Sequence, residues 1–105
     1  MSNSVRILVV DDEPPMVELV RGYLVREGWA VLSASDGSEA LEIARTERPD
    51  VVVLDIMLPG MSGLDVLRDL RPRHAAADLP VIMATARDNS NDVVTALRLG
   101  ANDYV

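Results

Sequence analysis

Acidic residues stand directly after two apolar runs that are far apart in the sequence. Asp11, Asp12 and Glu13 follow the first of these runs, and Asp55 follows the second. If the acids converge, two unit charges about 5 Å apart repel by roughly 3 kcal/mol at an effective dielectric near 20, and a bound cation removes that cost. Mg2+ prefers carboxylate oxygens and water, and substrate phosphate oxygens commonly complete its shell. The pattern therefore predicts a Mg2+ site for phosphate chemistry.

Asp55 is the candidate nucleophile of this cluster. Its carboxylate can attack a phosphoryl donor while the metal holds the transferred group, and the product is an aspartyl phosphate. The backbone carbonyl of Met57 is a candidate further metal ligand. Thr85 ends another apolar run, and its hydroxyl can bind a phosphate oxygen only after the transfer. These residues together predict a switch.

Apolar runs and segments of helical periodicity alternate along the chain and must position these residues. The runs span residues 5–10, 30–33, 51–54 and 79–84, and a fifth begins at 102. Helical segments start at Pro14, after Asp36, near Leu64 and near Val93. Strands and helices that alternate through right-handed crossovers form a parallel sheet covered on both faces. The sequence therefore predicts one doubly wound α/β domain, with the acids beyond the carboxyl ends of its strands.

Length and composition exclude several classes of protein. A chain of 105 residues is enough for one domain, and a net charge of −7 argues against nucleic-acid binding by this segment. Zero cysteines exclude thiol catalysis and cysteine-ligated metals. No apolar run approaches the roughly 20 residues that span a bilayer, and the polar start lacks a signal-peptide pattern. We therefore expect a cytoplasmic protein without a membrane partner.

Three motifs resemble those of response regulator receiver domains in two-component signalling. They are ILVVDDEP at residues 7–14, LDIMLPGMSG at 54–63 and ATA at 84–86. The resemblance covers the whole chain and implies a receiver domain over residues 1–105, with a flavodoxin-like fold and strand order 2-1-3-4-5. It also implies Mg2+ as the cofactor, a sensor histidine kinase or phosphotransfer protein as the donor, and control of an output domain or partner protein.

The resemblance also implies a role for individual residues. It assigns metal binding to Asp11, Asp12, Asp55 and the Met57 carbonyl, phosphoryl acceptance to Asp55, and switch roles to the Thr85 hydroxyl and the Tyr104 ring. In the family the ring turns inward when the threonine moves toward the phosphoryl group. That movement reshapes the surface of the fourth helix and fifth strand, which partners bind. Such a domain catalyses its own phosphorylation and slow dephosphorylation and is not a turnover enzyme.

One departure from the family pattern lies at the end of the chain. The family has a phosphate-contacting lysine shortly after the position of Tyr104, whereas this sequence stops at Val105. We therefore expect an incomplete receiver domain with a shortened fifth strand and no final helix. The apolar surface that this helix would cover makes a homodimer one hypothesis.

Other functions compete with the phosphorylated switch. A flavin-binding electron carrier would share the fold, but Asp11, Asp12 and Glu13 would repel its phosphate. An aspartyl-phosphate hydrolase places a second aspartate two residues after the nucleophile, where this sequence has Met57. A degenerate receiver that acts only as a docking or dimerisation module remains open, since the lysine is missing. The runs at 89–94 and 100–104 slightly favour an output of the cyclase or hybrid-kinase type.

Overall fold

Strands and helices alternate along the chain in the computed structural model, which describes residues 5–75, 77–83 and 102–104. The strands are β1 (Arg6–Val10), β2 (Ala30–Ala34), β3 (Val51–Leu54), β4 (Val81–Met83) and β5 (Asp103–Tyr104). The described helices are α1 (Pro14–Arg26), α2 (Gly37–Glu47) and α3 (Gly63–Leu70). The helix expected near Val93 lies outside the described residues. Within these ranges, no helix has the length and apolar character needed to cross a membrane.

The strands form one parallel sheet in the order β2-β1-β3-β4-β5, so the predicted doubly wound arrangement is confirmed. Val10 at the end of β1 lies opposite both Ala34 of β2 and Leu54 of β3. Asp55 and Asp11 continue the ladder, because the Asp55 N–H donates to the Val10 carbonyl at 3.0 Å and the Asp11 N–H donates to the Ala34 carbonyl at 3.1 Å. The strand order reverses between β1 and β3, where ligands bind in open α/β sheets.

The two faces of the sheet are covered differently. Alternate strand residues such as Leu8 and Leu54 are completely buried in one cluster with residues of α2 and α3. On the other face α1 buries Val17 against the sheet, but Val51 and Val53 of β3 are only half-buried. The main cluster of buried residues therefore lies between the sheet and helices α2 and α3.

The boundary of one strand differs from the prediction. The apolar run predicts β4 from residue 79, whereas the strand begins at Val81. The Leu79 N–H donates to the Ala75 carbonyl at 2.9 Å, so Leu79 belongs to the preceding turn even though its side chain is buried. An apolar residue in a buried turn has the same sequence signature as a strand residue, and only the hydrogen bond distinguishes them.

Candidate functional site

Three aspartates meet beyond the carboxyl ends of β1 and β3. Each of Asp11, Asp12 and Asp55 offers a carboxylate oxygen, and these three oxygens lie within 4.8 Å of one another. Asp11 and Asp55 are half-buried, and Asp12 is exposed. The predicted convergence of the three acids is therefore observed, and the cluster could hold a metal ion.

Backbone amides orient two of the carboxylates. The Glu13 N–H donates to Asp11 Oδ1 at 2.9 Å, and the Met57 N–H donates to Asp55 Oδ1 at 3.0 Å. Each contact closes a short turn in which the aspartate binds its own backbone two residues ahead. The second oxygen of Asp55 makes no hydrogen bond to any other described residue, so it is available to a ligand.

Helix capping does not account for the acids at the end of β1. The residue that caps α1 is Glu13, and its side chain makes no capping hydrogen bond. Pro14 occupies the first turn of this helix, where its missing N–H costs nothing. Asp11 and Asp12 therefore do not serve the helix that follows them.

The electrostatic environment of Asp55 disfavours its charged form. Partial burial is the main cause that raises the pKa of Asp55 above its ordinary value of 3.8. The hydrogen bond from Met57 lowers this pKa, whereas the negative charges of Asp11, Asp12 and Glu13 raise it further. A cation bound among the carboxylates would offset both the burial and the repulsion. The donor atoms are hard oxygens, so the residues fit a divalent cation such as Mg2+.

The N-terminus of α3 packs directly against the backbone of Asp55. The Gly63 N–H donates to the Ile56 carbonyl at 2.8 Å. A Cβ atom at residue 63 would lie 2.8 Å from Cα of Ile56 and even closer to the Asp55 carbonyl, so only glycine fits. Gly63 was not among the predicted site residues, and its place in LDIMLPGMSG was the only signal.

A capping box begins α3 beside the site. Ser62 accepts a hydrogen bond from the Asp65 N–H, and the Asp65 carboxylate accepts one from the Ser62 N–H. The spacing of Ser62 and Asp65 is the sequence signature of this motif. Asp36, after which the second helix was predicted to start, caps α2, because its Oδ1 accepts the Glu39 N–H at 2.8 Å.

The remaining predicted site residues differ in how they are placed. Met57 follows Asp55 with an exposed side chain, and its N–H binds the Asp55 carboxylate. Tyr104 lies in β5 in register with Met83. Thr85 and the Tyr104 side chain lie outside the described residues.

Comparison with known proteins assigns the family. A sequence model of the response regulator receiver domain matches residues 7–105. The chain therefore belongs to the response regulator receiver family of two-component systems, in agreement with its fold and acidic cluster.

Individual relatives support the same assignment. The chain is 52% identical over 101 residues to a probable transcriptional regulatory protein, TcrX, of Mycobacterium tuberculosis. The matched region covers 96% of this chain but 42% of that relative. The BeF3-activated N-terminal receiver domain of RstA from Klebsiella pneumoniae is 35% identical, with a TM-score of 0.88 over 95% of this chain and 83% of that one. NtrX from Brucella abortus is 38% identical, with a TM-score of 0.88 over 97% of this chain and 23% of that one.

Proposed function

We propose that this domain is a phosphorylation-dependent switch in which Asp55 accepts a phosphoryl group from a histidine kinase or a phosphotransfer protein. The observation that carries the proposal is the meeting of three carboxylates within 4.8 Å at the point where the strand order reverses. Family membership supports the reaction class. A cytoplasmic location is part of the same proposal.

The geometry supports a division of roles among the three acids. Asp11 and Asp12 would hold Mg2+ together with Asp55, and the Met57 carbonyl would complete the protein ligands. The Met57 N–H fixes Oδ1 of Asp55, which leaves Oδ2 as the nucleophile. Bound Mg2+ would supply positive charge that offsets the carboxylates and the transferred phosphoryl group.

The proposed transfer forms one bond and breaks one. An Asp55 carboxylate oxygen attacks phosphorus, the bond from phosphorus to the donor imidazole nitrogen breaks, and an acyl phosphate results. The imidazole nitrogen leaves with the bonding electron pair and takes a proton from solvent. Partial burial of Asp55 lowers its solvation in the ground state, and the raised pKa indicates a more basic carboxylate.

Met57 favours a switch over a turnover enzyme. A hydrolase of aspartyl phosphate needs an acid or base two residues after the nucleophile, and a methionine side chain cannot donate or accept that proton. The Met57 side chain is instead 51% exposed. We therefore propose slow dephosphorylation, with Thr85 binding the phosphoryl group and Tyr104 responding to that movement.

The proposed output is control of transcription. The relative TcrX carries the name of a transcriptional regulator, and the chain spans less than half of its length. We therefore propose an output segment of that class in place of the cyclase or hybrid-kinase output that the runs at 89–94 and 100–104 favoured.

Radiolabelled acetyl phosphate tests the proposal in the full-length protein. Labelling should require Mg2+, and Asp55→Asn should lower it by at least about 100-fold because the nucleophile is gone. Asp69→Asn is the matched control, because Asp69 is an exposed aspartate outside the acidic cluster and should label normally. Equal labelling of Asp55→Asn would refute the assignment, and a folded wild-type protein that never labels would favour a docking module.

A further inference from the structure

The pairing of β5 with β4 sets the register of the strand that carries Tyr104. Within the described residues, β5 comprises Asp103 and Tyr104 and lies at the edge of the sheet. Two ladder pairs, of Asp103 with Ile82 and of Tyr104 with Met83, define its register. A shift by one residue would move position 104 to the opposite face of the sheet. Contacts that fix which residue of β4 lies beside Asn102 therefore fix the face of the sheet on which position 104 lies.

Asn102 supplies a contact immediately before the strand. Its backbone N–H donates to the Val81 carbonyl at 2.9 Å, and its side-chain oxygen accepts the Val81 N–H at 2.9 Å. The residue thus binds both backbone polar groups of Val81, the first residue of β4. These two bonds specify which residue of β4 lies beside Asn102.

Arg71 holds Asn102 in this position. Its Nη2 donates to the Asn102 side-chain oxygen at 3.0 Å, and its Nη1 donates to the carbonyls of His74 at 3.1 Å and Leu79 at 2.8 Å. Arg71 is the C-cap residue of α3, so one guanidinium joins the end of that helix, the following connection and the residue before β5. Arginine suits this role because its planar fork of donors meets several acceptors at fixed angles.

Partial burial of this arginine has an electrostatic cost. Desolvation lowers the pKa of Arg71 below its ordinary value. The three acceptors named above compensate for the lost hydration, since carbonyl and amide oxygens replace water around the guanidinium. A half-buried arginine with these partners is a fixed structural element and not a mobile surface charge.

We infer that the contact of Arg71 with Asn102 is a register lock for β5 that positions Tyr104 for the switch. The inference rests on the proposed function, because it assumes that Tyr104 responds to phosphorylation. Arg71 is a positioning residue in this inference, since it acts through Asn102 and not on the phosphoryl group. Arg71 and Asn102 lie at the amino end of β4, whereas the acidic cluster lies beyond the carboxyl ends of the strands.

Fluorotyrosine NMR of the full-length protein tests the lock without relying on phosphorylation. In Arg71→Gln, the Tyr104 resonance should shift or split, because losing a charge-assisted hydrogen bond raises the population of other registers about tenfold. The variant Tyr104→Phe identifies the Tyr104 resonance, because that signal alone is missing from its spectrum. A contact that only adds global stability would lower the melting temperature but leave the Tyr104 resonance of the folded protein unchanged.

Variants at Asn102 and Arg73 make the test specific. Asn102→Ala should reproduce the change of Arg71→Gln, whereas Asn102→Asp should keep the wild-type resonance because a carboxylate accepts the same two hydrogen bonds. Arg73→Gln is the matched control and should leave the resonance unchanged. An unchanged Tyr104 resonance in both Arg71→Gln and Asn102→Ala would overturn the inference, and either variant alone suffices if the other does not fold.

Acetyl phosphate separates this inference from the proposed function. Arg71→Gln should still be labelled on Asp55 to within about threefold of wild type, while the phosphorylation-dependent shift of Tyr104 falls by at least half. If the wild-type protein is not labelled but the Tyr104 resonance of Arg71→Gln is displaced, the switch is refuted and the lock is supported. Normal labelling with a fully retained Tyr104 response in Arg71→Gln would refute the lock but support the switch.

Discussion

Acidic side chains at the two ends of the sheet have opposite environments. At the amino ends of β1 and β3, the Asp50 carboxylate accepts the Arg6 N–H at 2.8 Å, and the Arg6 guanidinium contacts Glu47. At the carboxyl ends of the same strands, Asp11, Asp12 and Asp55 crowd together, and no described cation forms a salt bridge with them.

The difference separates structural acids from functional ones. An acid that is paired with a donor or a cation lowers the free energy of the folded state. Acids that repel one another raise it, and such an arrangement persists when function requires a ligand that neutralises them. The paired acid at the amino end of the sheet thus stabilises the domain, whereas the crowded acids at its carboxyl end are those to which we assign the proposed cation.

The largest effect should come from a substitution that disturbs the backbone at the carboxyl end. Gly63→Ala places a Cβ against the backbone of Asp55 and Ile56, which must move. We expect a loss of about 3 kcal/mol or more in the free energy of unfolding, measured by urea denaturation. Gly22→Ala is the control, because no atom apart from its chain neighbours and the nearby backbone of its own helix lies within 4 Å of the added Cβ, and this variant should gain up to about 1 kcal/mol. Equal stability of the two variants would contradict the close approach of Gly63 to the backbone of Asp55 and Ile56.

An intermediate loss of stability should come from removing Asp50, the paired acid at the amino end of the sheet. Asp50→Ala removes the acceptor of the Arg6 N–H, so we expect a loss of about 1 kcal/mol. Asp50→Asn keeps an acceptor oxygen and should recover most of that loss. Asp69→Ala, at an exposed aspartate that accepts no hydrogen bond among the described residues, should change stability little. If urea denaturation gave the same free energy of unfolding for Asp50→Ala and Asp69→Ala, this prediction would be wrong.

The smallest effect should be a gain in stability, and it should come from Asp55→Asn. Asp55→Asn removes one of the crowded charges but keeps an acceptor for the Met57 N–H. In buffer with EDTA at neutral pH, the melting temperature should rise by a few degrees, because solvent screening limits the relief to about 1 kcal/mol or less. A lower melting temperature than wild type under these conditions would show that the acids do not repel.

The effect of Asp55→Asn should depend on pH and Mg2+. Because the folded-state pKa of Asp55 is raised, the wild-type domain loses stability as pH rises from about 3.8 through the raised pKa. The advantage of Asp55→Asn is therefore complete above that pKa and disappears as the pH falls through it. Saturating Mg2+ should remove the advantage, because the metal stabilises only the wild-type cluster.

Local patterns in the sequence were sufficient for most of the fold. The prediction of β3 at residues 51–54 matches the observed strand, because a uniformly apolar run between turn residues has few alternatives. Asp11 and Asp55 were found in the same way, since each directly follows such a run. The predicted start of β4 was wrong by two residues because Leu79 is a buried apolar residue of the turn that directly precedes the strand.

What the sequence determined by itself was therefore the order of the elements, the class of fold and the identity of the three acids. Each of these features can be predicted from the spacing and composition of a few neighbouring residues. Tertiary structure decided the contacts between distant residues, such as Arg6 with Asp50, 44 positions apart, and Arg71 with Asn102, 31 positions apart. Each contact depends on the register of the strands and on the residue at which a helix ends. The strand register and the helix end are fixed only once the sheet has formed. The need for glycine at residue 63 has the same origin, since it arises only where α3 meets the backbone of Asp55.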